Sequence, residues 1–346
     1  MATYTHHNEE HEKSCANTTS ATTTSITEEE KLDTCPCVYQ HPIREALATK
    51  RNKLIERYQL LKKRIEEPHD TTDKSVSKQS KTGGVKRALL IGINYKGTSS
   101  ELQGCVHDVE KIKAMLTSYY QYREEDIVML TDRKRYSLKA SRANILYWIK
   151  KMVADTQAGD ELFVHYSGHG SQVKCYKGDE DKNDDTPGMD DVIIPCDFQT
   201  AYIGKRGMIT DDELRIILVE AMVPGSKLRA FFDCCCSGTA LDLPYVYKQN
   251  EKYALTYKKD GIQSTDCLLI SGCRDDQTSA DALIEKQYNG ALTWALCKAL
   301  ETSRMTPISW KDLLLLVRTY LKESQFEQVP VLSVGAVSVA KTKVDL

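Results

Sequence analysis

The sequence predicts an α/β fold with a mostly parallel central sheet and helices on both faces. Two observations carry this. From Val85 onward, short apolar runs of strand length alternate with segments of helical period. The residues with the richest chemistry also fall directly behind those runs, and ligands of open α/β sheets gather outside the carboxyl ends of the strands. No internal repeat is present.

The elements follow in order. "RALLIGI" is the first strand, and a helix begins at about Val106. "DIVML" is a strand, "RANILYWIKKMV" a helix, and "ELFVHYS" and "DVIIPC" are strands. A helix starts at Asp211 behind Thr210, which with Glu213 makes a T-x-x-E capping box. "LRAFFDC" and "CLLISG" are strands, "ALTWALCKAL" and "WKDLLLLVRTYL" helices, and "PVLSVG" closes the pattern as a strand.

Residues 85–244 form a larger part and 267–346 a smaller part of one fold. Residues 245–266, polar and basic, read as the linker between them. Ahead of this body, residues 1–41 are a Thr-, Ser- and Glu-rich tail poor in large apolar side chains, and so expected to be disordered. Residues 42–67 carry Ile43, Leu47, Leu54, Tyr58, Leu61 and Ile65 on one stripe of an amphipathic helix. Residues 68–84 are a polar linker.

Charged residues make up 28% of the 346-residue chain, yet the net charge is only -2, which argues against a nucleic-acid binder. The first residues hold no apolar stretch of a secretory signal, and no run approaches the ~20 apolar residues of a membrane span. The expectation is a cytoplasmic protein whose 12 cysteines are reduced thiols. No CxxC occurs; Cys35, Cys37 and His41 make at most a partial metal site. In Cys234, Cys235 and Cys236, neighbouring side chains of an extended segment point to opposite faces, so the three sulfurs cannot meet at one metal.

The body has three histidines. His107 follows the first strand, His165 lies inside an apolar strand as a satisfied core residue, and His169 stands at a strand end between two glycines. Those glycines let the backbone turn sharply and approach a substrate. A cysteine near such an imidazole has an obvious use, because the thiolate is the nucleophile and the histidine can take its proton. The "SG" behind the cysteines lets backbone amides approach an oxyanion.

"HYSGHGSQ" and "DCCCSGTALDLP", with "IGINYKG", "LQGCVHDV" and "SGCRDDQTSAD", resemble the metacaspases, caspase-fold cysteine peptidases of family C14, from about Val85 to the C-terminus. The resemblance implies a caspase-like fold, a nucleophile at Cys235 and a dyad partner at His169, with the amides of Gly170 and Cys235 as oxyanion donors. Cys236 stands where the family usually has histidine. The resemblance further implies cleavage after Arg or Lys, the cation held in a pocket of Cys105, Asp108, Ser167 and Asp233 by charge-assisted hydrogen bonds. For Asp108, first-turn helix stabilisation is the competing reading.

Many metacaspases are activated by calcium. The positions matching their ligands are Asp190, Asp211, Asp212 and Asp242, although Asp211 and Asp212 also suit a helix start. The dense acid run at 179–185 reads as solvated loop. No organic cofactor is expected. Lys258 and Lys259 are candidates for self-cleavage, and the family expectation is a monomer acting on proteins or peptides with Arg or Lys at the cleaved position. Two rivals remain: a pseudopeptidase that binds basic peptides without turnover, and a redox- or metal-responsive thiol protein using the cysteine triplet.

Overall fold

The computed structural model describes residues 84–174, 189–199, 207–235, 240–247, 253–255, 266–272, 281–284 and 287–346, all within the unit Thr71–Leu346. The tail, the 42–67 helix, Cys236, the acid run at 179–185, and Lys258 and Lys259 lie outside the described residues.

In chain order come β1 (Lys86–Gly92), α1 (Cys105–Tyr119), β2 (Ile127–Thr131), α2 (Arg142–Ala154), β3 (Glu161–Ser167), β4 (Gly170–Lys174), β5 (Met189–Ile193) and β6 (Ile209–Thr210). There follow α3 (Asp211–Leu214), which runs into one π-helical turn at Arg215–Val219, and then β7 (Lys227–Asp233), β8 (Tyr245–Tyr247) and β9 (Tyr253–Leu255). β10 (Cys267–Ser271), β11 (Asp281–Ile284), β12 (Gln287–Gly290), α4 (Ala291–Met305), α5 (Trp310–Glu323) and β13 (Val331–Val334) complete the body.

The central sheet has eight strands in the order β2-β1-β3-β7-β10-β13-β8-β9. The first five are mutually parallel, and β13, β8 and β9 join antiparallel. Side chains of a strand alternate between faces. Ala88, Leu90, Phe163, Phe231, Leu268 and Ile270 therefore pack on one face with α1, α4 and α5, through Ile112, Trp294, Leu296, Trp310 and Leu313. On the other face Leu89, Ile91, Val164, Ala230 and Phe232 are buried, as are Ile145 and Ile149 of α2 and Leu218 of the π turn.

Three features differ from the pattern read in the sequence. "DVII" belongs to a separate three-stranded antiparallel sheet of β4, β5 and β6, where the half-polar β5 pairs with the strand just behind His169. Within 245–266, β8 and β9 extend the edge of the central sheet. At the head of α3, Thr210 Oγ1 accepts from the Glu213 amide at 3.2 Å, but the Glu213 carboxylate turns away to grip Arg142 with both oxygens at 2.6 Å. A reciprocal capping box forms instead at α5, between Ser309 and Asp312.

Candidate active site

The parallel register brings the reactive segments to one edge. Ser167 of β3 lies beside Asp233 of β7 and Gly92 of β1. Beyond that row, the Gly168 amide donates to the Asp233 carbonyl at 3.3 Å, so the SGHG and DCC segments leave the sheet side by side. Gly170 presses on the second segment: a Cβ there would lie 2.0 Å from the carbonyl oxygen of Cys235, so only glycine fits. The two oxyanion candidates are thus neighbours. Cys234 is buried in the core and Cys235 is partly exposed, and the described cysteines are thiols, not disulfides.

His169 is held from three sides. Its backbone amide donates to the Tyr95 hydroxyl at 2.9 Å, and its carbonyl accepts from the Tyr166 hydroxyl at 2.7 Å. The Tyr95 ring lies 4.6 Å from the imidazole, centre to centre, and Nε2 is 2.7 Å from the Ser100 carbonyl. A carbonyl only accepts, so that contact places a proton on Nε2. Tyr95 takes a positive φ of 50°, a left-handed conformation that is uncommon outside glycine and that sites of function tend to store.

Next to these lies a buried acidic pocket. Asp108 has no exposed surface; it accepts from Ser167 Oγ at 2.7 Å and from the Gly290 amide at 3.0 and 3.1 Å. That is not the solvent-facing role of a helix-start acid. Asp233 Oδ2 accepts from the Thr293 amide at 2.7 Å and its hydroxyl at 2.8 Å. Burial, and then the charge of Asp233, push the Asp108 carboxyl well above the usual carboxylate range. Burial and Asp108 likewise raise the Cys105 thiol, which disfavours its thiolate. No lysine or arginine among the described residues forms an ion pair with Asp108.

Gly290 separates the two carboxylates. A Cβ there would stand 2.2 Å from Asp233 Oδ2 and 2.8 Å from Asp108 Oδ2. The β11–β12 hairpin that carries Gly290 adds Asp281, which accepts from the Gln103 and Gly104 amides at 2.6 and 3.0 Å. Tyr95, Tyr166, Asp281, Gly290 and Thr293 all share this site, and the sequence reading did not single them out. Tyr95 and Asp281 do sit inside the distinctive "INYKG" and "TSAD" segments; Gly290 and Thr293 carry no comparable signal.

The four other acids stand apart from this pocket. Asp211 is buried; its carboxylate accepts from the Asp191 amide at 2.9 Å and the Asp212 amide at 2.7 Å. Burial, and then the negative charges of Asp242 and Asp212, push its carboxyl up. Asp190 Oδ1 is buried without a hydrogen-bond partner. Among the described residues, no three or more His, Cys, Asp or Glu side chains converge on one point as a metal cage does. Carboxylate oxygens such as Asp190 Oδ1 and those of Asp211 are of the type a hard cation takes.

Comparison with known proteins places the chain among the cysteine-type peptidases. Residues 86–244 match the model of the metacaspase, peptidase C14 domain. Metacaspase-1A of Neurospora crassa is 36% identical over 73% of this chain and 63% of its own length. Metacaspase-1 of Meyerozyma guilliermondii is 37% identical over 73% of this chain and 70% of its own. Metacaspase-1 of Pyricularia oryzae is also 37% identical, over 73% and 72%. The chain belongs to the metacaspase family. Among solved structures, a protein from Geobacter sulfurreducens shares the fold at a TM-score of 0.51 and 24% identity, over 75% of this chain and 97% of that one. No helix among the described residues is long and apolar enough to cross a membrane.

Proposed function

We propose that the protein is a calcium-dependent cysteine endopeptidase that cleaves after Arg or Lys. The observation that carries the specificity is Asp108, a fully buried carboxylate whose hydrogen-bond donors among the described residues are all neutral. A buried acid crowded by a second one, Asp233, costs stability unless a cation offsets the charge. A guanidinium or ammonium group entering between Asp108 and Asp233 supplies the missing charge and strong, directional hydrogen bonds.

With the cation seated, the scissile carbonyl lies over the adjoining strand ends. The Cys235 thiol gives up its proton with His169 as the base, and the thiolate attacks the carbonyl carbon. The amides of Gly170 and Cys235 receive the oxyanion. His169 returns a proton to the leaving amine, the C–N bond breaks, and an acyl-enzyme thioester remains for water to hydrolyse. The Ser100 carbonyl and the Tyr95 ring hold the imidazole, and with Nε2 bound to that carbonyl, Nδ1 is the nitrogen left to take the proton. Calcium, when bound, supplies positive charge to Asp190, Asp211, Asp212 and Asp242. The protein acts as a cytoplasmic monomer, and its linker lysines Lys258 and Lys259 are its own candidate substrates.

The test is cleavage of a fluorogenic Arg peptide against its Asp counterpart, with millimolar calcium or with chelator. Cleavage of the Arg peptide alone, dependent on calcium, lost in Cys235→Ala and kept in Cys236→Ala, is the expected outcome. A folded parent that turns over neither peptide under any condition overturns the reading in favour of a pseudopeptidase.

A further inference from the structure

The core histidine His165 has no part in the chemistry above, yet it is wired into the acidic pocket. It sits in the middle of β3, opposite Leu90 of β1 and Phe231 of β7. It is fully buried. On its own strand, two residues on and on the same face, comes the pocket residue Ser167. His165 Nε2 lies 3.1 Å from Thr293 Oγ1, and that hydroxyl donates to Asp233 Oδ2 at 2.8 Å.

The direction of this chain follows from counting hydrogens. A threonine hydroxyl has one hydrogen, and it is used on Asp233. Thr293 Oγ1 can therefore only accept from the imidazole, so Nε2 carries the proton. Nδ1 is then bare, and it is buried without a partner. A second proton on Nδ1 would put an unpaired charge in the core, and burial accordingly drives the imidazole down to about 3. Burial keeps the ring neutral, and the bond to Thr293 selects the Nε2–H tautomer.

An apolar residue would fill this place without stranding a nitrogen. The placement makes sense if the Nε2–H is needed. Without it the Thr293 hydroxyl is free to rotate away, and the donor to Asp233 is no longer assured. We propose that His165 is a positioning residue of the acidic pocket: by donating to Thr293 it commits that hydroxyl to Asp233 and fixes the carboxylate that receives the substrate's cation. This rests on the basic specificity proposed above and adds a buried relay, His165 to Thr293 to Asp233. Ser167 does the same for Asp108 directly.

The relay makes a patterned prediction. Thr293→Val is expected to raise KM for an Arg peptide about tenfold, the effect of one hydrogen bond to a charged group. His165→Leu is expected to reproduce most of that rise, with kcat in both variants within about twofold of the parent because the thiol and His169 are untouched. His165→Gln, whose amide nitrogen can reach the position of Nε2, is expected to restore KM. The double variant His165→Leu, Thr293→Val should be no worse than Thr293→Val alone. Binding of an Arg-terminated peptide to the Cys235→Ala protein, measured by calorimetry, should follow the same order. Nitrogen-15 NMR of the parent should show a neutral His165, protonated on Nε2, that does not titrate between about pH 5 and 8.

Four outcomes overturn the relay: the Nδ1–H tautomer, a KM unchanged in His165→Leu, effects of the two single variants that multiply, or a His165→Gln variant that behaves like His165→Leu. A parent that neither cleaves nor binds Arg peptides fails differently. It removes the specificity itself, while the NMR measurement still reports on the hydrogen-bond chain.

Discussion

The two ends of the central sheet bury charge in opposite ways. At the amino-terminal end Arg229 is 1% exposed, yet both terminal nitrogens of its guanidinium have acidic partners, with only Nε left without a hydrogen bond. It donates to the Asp266 side chain at 2.8 Å and to Asp345 at 3.2 Å, it lies over the Trp310 ring, and Lys227 pairs with Asp345 as well. At the carboxyl-terminal end Asp108 is fully buried, and its donors among the described residues are neutral. A buried charge that carries its own counter-charge is a structural element. One without it is a candidate for binding a cation, the role proposed above for Asp108. Burial alone does not separate the two; the partner does.

One effect that should separate the two ends is on stability. Arg229→Met takes this cation from the half-exposed Asp266, leaves Asp345 with Lys227 alone, and should cost about 1–3 kcal/mol in urea unfolding. Its preference for Arg over Asp peptides should stay that of the parent. A shift in that preference would break the division of labour. Asp108→Asn should behave in the opposite sense. Its kcat/KM for an Arg peptide should fall by about 2–4 kcal/mol, or some 30- to 1,000-fold. Its melting temperature should hold or rise, because an unfavourable buried carboxylate has gone. An Asp108→Asn protein that loses stability and keeps its activity would make Asp108 structural too.

The same contrast explains what the sequence could and could not reveal. The sheet was legible because apolar runs of strand length are a short-range signal; Ser167, His169, Asp233 and Cys235 drew attention because each stands at or just behind a strand end, whereas the choice of Cys235 among three cysteines and the pairing of Asp108 with Asp233 came from the metacaspase resemblance. Asp281, Gly290 and Thr293 were not, because their roles exist only once the β11–β12 hairpin and α4 close over α1 and β7, far away in sequence. His165 was read as a satisfied core histidine. One nitrogen is satisfied and the other is not, and periodicity places a residue on a face without naming its partners. The β8 and β9 edge was hidden by its polar and basic composition, which an edge strand tolerates more readily than a central one.

Acidity sharpens the comparison further. Asp108 is raised by burial and by Asp233, and Asp281 and the thiol of Cys105 also face it, so nothing nearby in this set favours its ionised form except the Ser167 and Gly290 hydrogen bonds. Asp108 by itself therefore favours the protonated acid, whereas an Arg side chain beside it would favour the carboxylate. Binding should release a proton, and KM for an Arg peptide should fall as pH rises, by at most about tenfold per pH unit. Asp108→Asn should lose that slope. A KM that rises with pH in the parent would have the wrong sign for an acidic pocket and would count against it.

Asp211 extends the argument to the second acidic group, with a smaller effect. Its carboxyl is raised by burial and by Asp242. A raised acid contributes stability while it is protonated and loses that contribution as pH rises through its folded value. In chelator, the melting temperature should therefore fall across that range. Calcium at about ten times its Kd should return about 1.4 kcal/mol by mass action, more at higher pH because the carboxylates that bind it are then ionised. Asp211→Asn should lose both the pH slope and the calcium response, since neither a titrating proton nor a hard anionic ligand remains. Magnesium is the control: it demands a tighter octahedral shell and gives up its water reluctantly, so carboxylates spread over β5, α3 and the segment after β7 should respond to it less. A parent whose melting curve ignores calcium at every pH would leave Asp211 as an ordinary buried acid held by the Asp191 and Asp212 amides, and calcium would have to act elsewhere or not at all.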